Sequence, residues 1–178
     1  MSAYLLILLS VISRVIPHPA WLNFTTVGAS LLYFGARRPL RQAILPVAVL
    51  AGTDFYLTTY AYGYPFHISS YLVTWAWYAG MILLGAGMLK AKASTGRVLG
   101  AAVLSATSFF VISNFAVWAG SALYPHSGAG LTACYVAALP FYRNDLLSTT
   151  VFSVIVFGAP QIVSYLLHRQ QAGRPAVS

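Results

Sequence analysis

The sequence predicts an all-α, polytopic membrane protein with six transmembrane helices, and three observations support this fold class. First, 59% of the 178 residues are hydrophobic and 7% are charged, with a mean hydropathy of +0.75, whereas about a quarter of the residues of a soluble domain are charged. Second, long apolar stretches alternate with short connections that contain proline or basic residues. Third, eight of the ten Lys and Arg residues fall in the second connection, the fourth connection and the C-terminal tail, an alternation that is typical of membrane topology.

The chain is long enough for several spans of about 20 residues but leaves no room for a sizeable aqueous domain. We therefore predict one transmembrane domain over residues 1–178. The predicted spans are 3–16, 21–36, 42–62, 68–89, 98–123 and 147–167.

The first two spans are short, since a rise of 1.5 Å per residue gives them only about 21 to 24 Å against a hydrocarbon core of roughly 30 Å. Pro17 and Pro19 end the first span, because proline cannot continue a helix. The second span ends at Arg37, Arg38 and Pro39.

The later spans carry residues that favour helix packing within a membrane. The third span contains Pro46 and Asp54. The fourth begins with aromatic residues and continues with Gly80, Gly85 and Gly87, which allow close contact between helices. The fifth span is long enough to cross a bilayer with some tilt, and the sixth leads into a polar, basic tail.

Residues 131–141 form a further apolar segment between the fifth and sixth spans. Eleven residues are too few to cross a bilayer, so we predict a short re-entrant or interfacial segment. The glycines at 128 and 130 and Pro140 would provide its two bends.

The surrounding stretch 124–145 contains His126, the single cysteine and Arg143. We predict that it folds back over the outward ends of the first three spans as the lid of a ligand pocket. This arrangement would place Cys134 at the pocket and leave Arg143 and Asp145 near the membrane interface.

The basic residues also predict the orientation of the chain. Those of the second connection (37–41), the fourth connection (90–97) and the C-terminal tail lie on one side, and the positive-inside rule assigns that side to the cytoplasm. We therefore predict a multi-pass protein of the plasma (inner) membrane with both termini cytoplasmic. The net charge of +8 forms no dense basic patch with interleaved aromatic residues, so no nucleic-acid partner is predicted.

Polar residues near the outward side predict a substrate-binding pocket, because ionisable residues at membrane depth are costly and are usually paired or functional. The candidate binding residues are Arg14, His18, Asn23, Asp54, His67, Asn114, Trp118, His126, Cys134 and Arg143.

Each of these residues also has a purely structural interpretation. Arg14 and Asp54 would equally serve as an ion pair that lets two helices pack. The outward aromatic residues fit an interfacial belt, the histidines fit ordinary loop positions, and Cys134 fits a small buried packing residue. Asn114 and Gln161 would bridge helices.

Sequence motifs for catalysis are missing. The chain has no G-x-S-x-G or H-E-x-x-H pattern and no Gly-rich phosphate loop, and its two carboxylates, Asp54 and Asp145, lie far apart in the sequence. A single cysteine offers no Cys-x-x-Cys or zinc pattern. We predict that the protein is not an enzyme and has no metal site.

Three segments carry a resemblance to known families: RVIPHPAWLNFTTVGASLLYFGA, SFFVISNFAVWAG and YPHSGAGLTACYVAALPFYRND. Together they resemble a family of small bacterial membrane proteins catalogued as a domain of unknown function. The size, the six spans and the helix NFTTVGASLLYFGA are similar to the S components of energy-coupling factor vitamin transporters. That resemblance implies an outward-facing vitamin or metal-ion site and an ATPase coupling module as partner.

The leading hypothesis is accordingly a membrane subunit that binds a small vitamin-like solute for uptake. The first span lacks the Ala-x-x-x-Ala pattern with which S components often dock their coupling protein, so a solitary carrier stays open. The cofactor is unknown; a corrinoid is one candidate, with Cys134 or His126 as cobalt ligand. The alternatives are a structural accessory subunit of a respiratory or photosynthetic membrane complex, and a small intramembrane enzyme.

Overall fold

A computed structural model describes residues 2–16 and 23–172, and for 161–168 and 170–172 it describes the backbone alone. Throughout these residues the chain is helical or forms connections, and no strand occurs, which confirms the prediction of an all-α fold. The helices are α1 (Ser2–Val15), α2 (Val27–Arg37), α3 (Ile44–Tyr56), α4 (Leu72–Leu89), α5 (Thr95–Gly120) and α6 (Gly128–Ala172). A π-helical turn, Leu57–Ala61, extends α3, and 3-10 turns at Leu40–Gln42 and Ile68–Ser70 precede α3 and α4.

Three helical stretches among the described residues are long and apolar enough to cross a membrane, which corrects the expected count of six. They are Leu40–Ala61, Leu72–Leu89 and Thr95–Gly120. The helices α1 and α2 have 14 and 11 residues, so they rise only about 21 and 17 Å.

The expected re-entrant segment and lid at 124–145 are wrong. Residues 131–141 belong to α6, which continues without interruption for 45 residues through Pro140 and Pro160. Side chains of α6 bond to the backbone of α5 along this stretch: Tyr135 donates its hydroxyl to the carbonyl of Val111 at 2.7 Å. The apolar segment therefore packs against α5 and does not fold back over the bundle.

The central helix of the bundle is α2, in which every residue from 27 to 36 is buried. A helix that is apolar on all sides is expected to be enclosed by others, and α2 packs against α1, α4, α5 and α6. Its backbone comes closest to α4, where Gly35 faces the carbonyl of Ile82 and Gly85 faces the carbonyl of Leu32.

Successive helices alternate in direction, and side-chain contacts show which ends coincide. α1 and α3 run parallel, because Tyr4 bonds to Gln42 at 2.7 Å and Arg14 pairs with Asp54. The connections 38–43 and 90–94 consequently lie at one end of the bundle, together with Ser2. We call this the basic end, and it exposes Arg37, Arg41, Lys90, Lys92 and Arg97.

Candidate functional site

The carboxylate of Asp54 is the centre of a buried polar cluster in the half of the bundle away from the basic end. It pairs with the guanidinium of Arg14, as predicted, and it accepts hydrogen bonds from Trp75 Nε1 at 2.9 Å and from the Tyr78 hydroxyl at 3.3 Å. Asp54 is 3% exposed. These donors therefore take the place of the water molecules that the carboxylate loses on burial. The Arg14 Nη1 is buried, and it has no hydrogen-bond partner among the described residues.

A first cavity, of about 210 Å³, lies between α5, α6 and the segment before α2. Its polar lining consists of Asn23, Ser113, Asn114 and Asp145. These residues come from three elements that are far apart in the sequence, so the folded bundle brings them together.

Aromatic rings form much of the remaining wall of the first cavity. They are Phe109, Phe110, Phe141 and Tyr142. Phe110 stacks on Tyr142 with 4.7 Å between ring centroids, and the Tyr142 hydroxyl lies 3.0 Å from that of Thr107. The rings are therefore held in place by contacts between α5 and α6.

A second cavity, of about 90 Å³, adjoins the first and reaches the Asp54 cluster through Arg14 and Tyr78. The two cavities share Asn23, Phe109 and Asp145 as lining residues. A ligand in the first cavity would therefore have Arg14 as a neighbour on one side.

The position of Asp145 depends on the close packing of α2 against α6. Asp145 Oδ1 accepts a hydrogen bond from the hydroxyl of Thr149 at 3.3 Å. Thr149 is fully buried because α2 has a glycine opposite it: a Cβ on Gly28 would lie 2.6 Å from the Thr149 hydroxyl. A larger residue at 28 would displace Thr149 and with it the support of Asp145.

Asn23 begins the described segment before α2 in a left-handed backbone conformation, with φ of 62°. Asparagine tolerates this region better than most residues. The side chain is exposed and lines both cavities. Sparsely populated backbone conformations concentrate at ligand sites, and the position of Asn23 agrees with that tendency.

The structure brings together four of the residues expected to bind substrate: Arg14, Asn23, Asp54 and Asn114. Arg14, Asn23 and Asn114 line the cavities, and Asp54 holds Arg14. His18 lies outside the described residues.

The other expected binding residues lie elsewhere. His67 is exposed in the connection before α4, and Arg143 is exposed on α6. Trp118 and His126 pack on each other at the turn between α5 and α6, with 5.5 Å between ring centroids. Cys134 is buried against α5, where its Sγ lies 3.5 Å from the Asn114 carbonyl. None of these five residues lines either cavity.

These positions do not support a corrinoid held by Cys134 or His126, since neither side chain lines either of the two cavities formed by the described residues. Within the described part of the chain, no three His, Cys, Asp or Glu side chains are grouped closely enough to hold a metal ion.

Sequence reasoning missed Asp145 and the four aromatic rings. Asp145 was expected near the membrane interface, and the structure shows it as a partly buried residue of α6 that lines the first cavity together with Asn23. The signal was present as a helical spacing, because Ala138, Phe141, Tyr142 and Asp145 fall at intervals of three, one and three residues and all line the first cavity. It is recognisable only when 128–145 is taken as one helix.

The sequence profile of a protein family matches residues 1–172. The chain belongs to DUF6580, a family of unknown function. This membership confirms the prediction of an uncharacterised family, and it carries no activity. Comparison with curated proteins and with solved structures found no match. For this DUF6580 chain, function has to be argued from the cavities themselves.

Proposed function

We propose that this protein is a membrane-embedded binding subunit for the uptake of a small vitamin-like solute, comparable in role to the S components of energy-coupling factor transporters. The observation that supports it is the pair of adjoining cavities lined by polar groups from α1, α5, α6 and the segment before α2. Ligand sites between the helices of a bundle commonly combine apolar walls with a few convergent polar groups.

The proposal includes the membrane setting. The three long apolar stretches cross the inner membrane, and the shorter α1 and α2 are held inside the bundle by their neighbours. The basic end faces the cytoplasm, following the positive-inside rule, so the cavities lie in the outward half. An ATPase coupling module or another membrane subunit is the proposed partner at the basic end.

Native mass spectrometry of the purified full-length protein tests the binding role. We expect a retained small molecule that is lost in Ala138→Leu, because Ala138 lines the first cavity and is 8% exposed. Ala137→Leu is the matched control, since its side chain is exposed on the same helix turn. Retention by Ala138→Leu at the wild-type level would contradict a site in this cavity.

The alternative, a structural accessory subunit, is favoured by one observation. Tyr56, Tyr60, Tyr62 and Tyr64 form an exposed aromatic surface around the end of α3, each between 49% and 69% exposed. Such a surface suits either an interfacial belt or a contact with another membrane subunit. Co-purification of stoichiometric membrane subunits without a retained small molecule would support this alternative and exclude the binding role.

A further inference from the structure

Asp145 stands out when the charges of the chain are compared. The chain has two carboxylates, and Asp54 is paired with Arg14. Arg14 with Asp54 is the only ion pair among the described residues, which leaves Asp145 with a hydroxyl partner and no cationic one. An ionised carboxylate among membrane helices is costly unless a counter-charge is supplied, and within the described residues Asp145 forms no ion pair.

The walls around Asp145 have a matching chemistry. Phe109, Phe110, Phe141 and Tyr142 surround the same cavity, and aromatic rings attract organic cations through their negatively charged faces. A carboxylate beside several aromatic rings is a combination that favours substituted ammonium groups over hydrated metal ions, because the rings also bury alkyl groups.

The volume limits the size of the ligand. The first cavity has a volume of about 210 Å³. It therefore suits a molecule of the size of choline and not a corrinoid.

We propose that the solute bound by this protein is a small organic cation, an amine or quaternary ammonium compound. Its charge pairs with Asp145, its alkyl groups pack against the four rings, and Arg14, which lines the adjoining second cavity, donates to an oxygen of the same molecule. This assignment rests on the proposed binding function and narrows its substrate class.

The test compares choline with its neutral carbon isostere, 3,3-dimethylbutan-1-ol, by calorimetric titration of the purified full-length protein. We expect choline to bind and the isostere to bind much more weakly. Asp145→Asn keeps the shape of the side chain and removes the charge, and it should raise the Kd for choline roughly 30-fold or more, as truncation of one member of a buried charge pair does. Arg143→Gln, an exposed change two residues away, should leave the Kd unaltered.

A second variant keeps the test decisive if Asp145→Asn is unstable. Phe110→Leu removes a ring and retains apolar volume, so it should weaken choline binding while leaving the isostere unaffected. Equal affinities for choline and its isostere, or an unchanged Kd in both variants, would overturn the cation assignment and leave a general solute site standing.

Absence of binding by either compound would also overturn the cation assignment. The proposed function is then judged separately, by whether the Ala137→Leu protein still retains a small molecule that Ala138→Leu loses in native mass spectrometry.

Discussion

Asp54 shows how a carboxylate is accommodated inside this bundle. It accepts hydrogen bonds from the guanidinium of Arg14, the indole N–H of Trp75 and the hydroxyl of Tyr78, so its donors come from two helices, α1 and α4. Removing Arg14 or Asp54 alone would leave the other charge buried, whereas removing both eliminates the charges together.

We therefore expect Asp54→Ala to lower the free energy of unfolding by on the order of 3 kcal/mol, and the double change Arg14→Ala with Asp54→Ala to cost less than Asp54→Ala alone. Thermal unfolding in detergent, analysed as a double-mutant cycle, measures the coupling. Arg41→Ala at the exposed basic end is the control and should change stability by less than about 0.5 kcal/mol. Additive losses in the cycle would show that the pair has no energetic role.

The ion pair could be predicted from the sequence because two opposite charges, Arg14 and Asp54, both fall near the outward ends of their predicted apolar spans. Asp145 could not be placed in the same way. Its position along the bundle depends on whether 128–145 is a loop or a helix. The glycines and Pro140 led to the prediction of a loop, which was wrong. Local residue preferences favoured a bend, and contacts with α5 overrode them.

At the scale of elements, the helix order and most helix positions follow from apolar periodicity and proline position, whereas α6 does not. Proline in a helix interior removes one hydrogen bond, and membrane helices tolerate this because neighbouring groups satisfy the freed carbonyl. The sequence alone does not show which groups lie beside the prolines of α6, so the continuity of this helix could not be predicted. The crossing of α2 and α4 was likewise suggested only by the glycines of the fourth span.

Gly85 and Gly80, both on α4, give a matched test of that crossing. A Cβ on Gly85 would meet the carbonyl of Leu32, whereas nothing lies within 4 Å of a Cβ on Gly80. We expect Gly85→Ala to destabilise the protein by about 1 to 3 kcal/mol through overpacking. Gly80→Ala should be neutral or stabilising, since alanine is the better helix former. Equal melting temperatures for the two variants would mean that α2 and α4 are not in close contact.

At the scale of the whole molecule, the helix directions and the distribution of basic residues agree. The first residues of α1 and the later part of α6 lie toward the same end, since Ser2 and Phe157 both contact Tyr33. This arrangement allows the start of α1 and the described end of α6 to share one side, as the charge distribution predicts. Sequence reasoning could predict the end that carries the charges, because that depends only on order along the chain.

Cysteine accessibility in cells tests this topology. Thr95 is exposed at the start of α5, and Ser127 is exposed in the connection that follows α5. In a Cys134→Ser background, Ser127→Cys should therefore react with an impermeant thiol reagent applied from outside, and Thr95→Cys should not. Labelling of both sites after membrane disruption is the control for reactivity. The reverse pattern would place the basic end outside the cell and invert the orientation of the cavities.

The enclosure of α2 has a consequence for how the protein is made. In the membrane setting proposed above, an eleven-residue helix of about 17 Å cannot hold a stable position across a core of roughly 30 Å by itself. Three of the four helices that surround it are synthesised later. Of these four, only α1 can therefore contact α2 until α4, α5 and α6 have been synthesised. Chains that stop before α6 would leave the side of α2 that faces α6 uncovered.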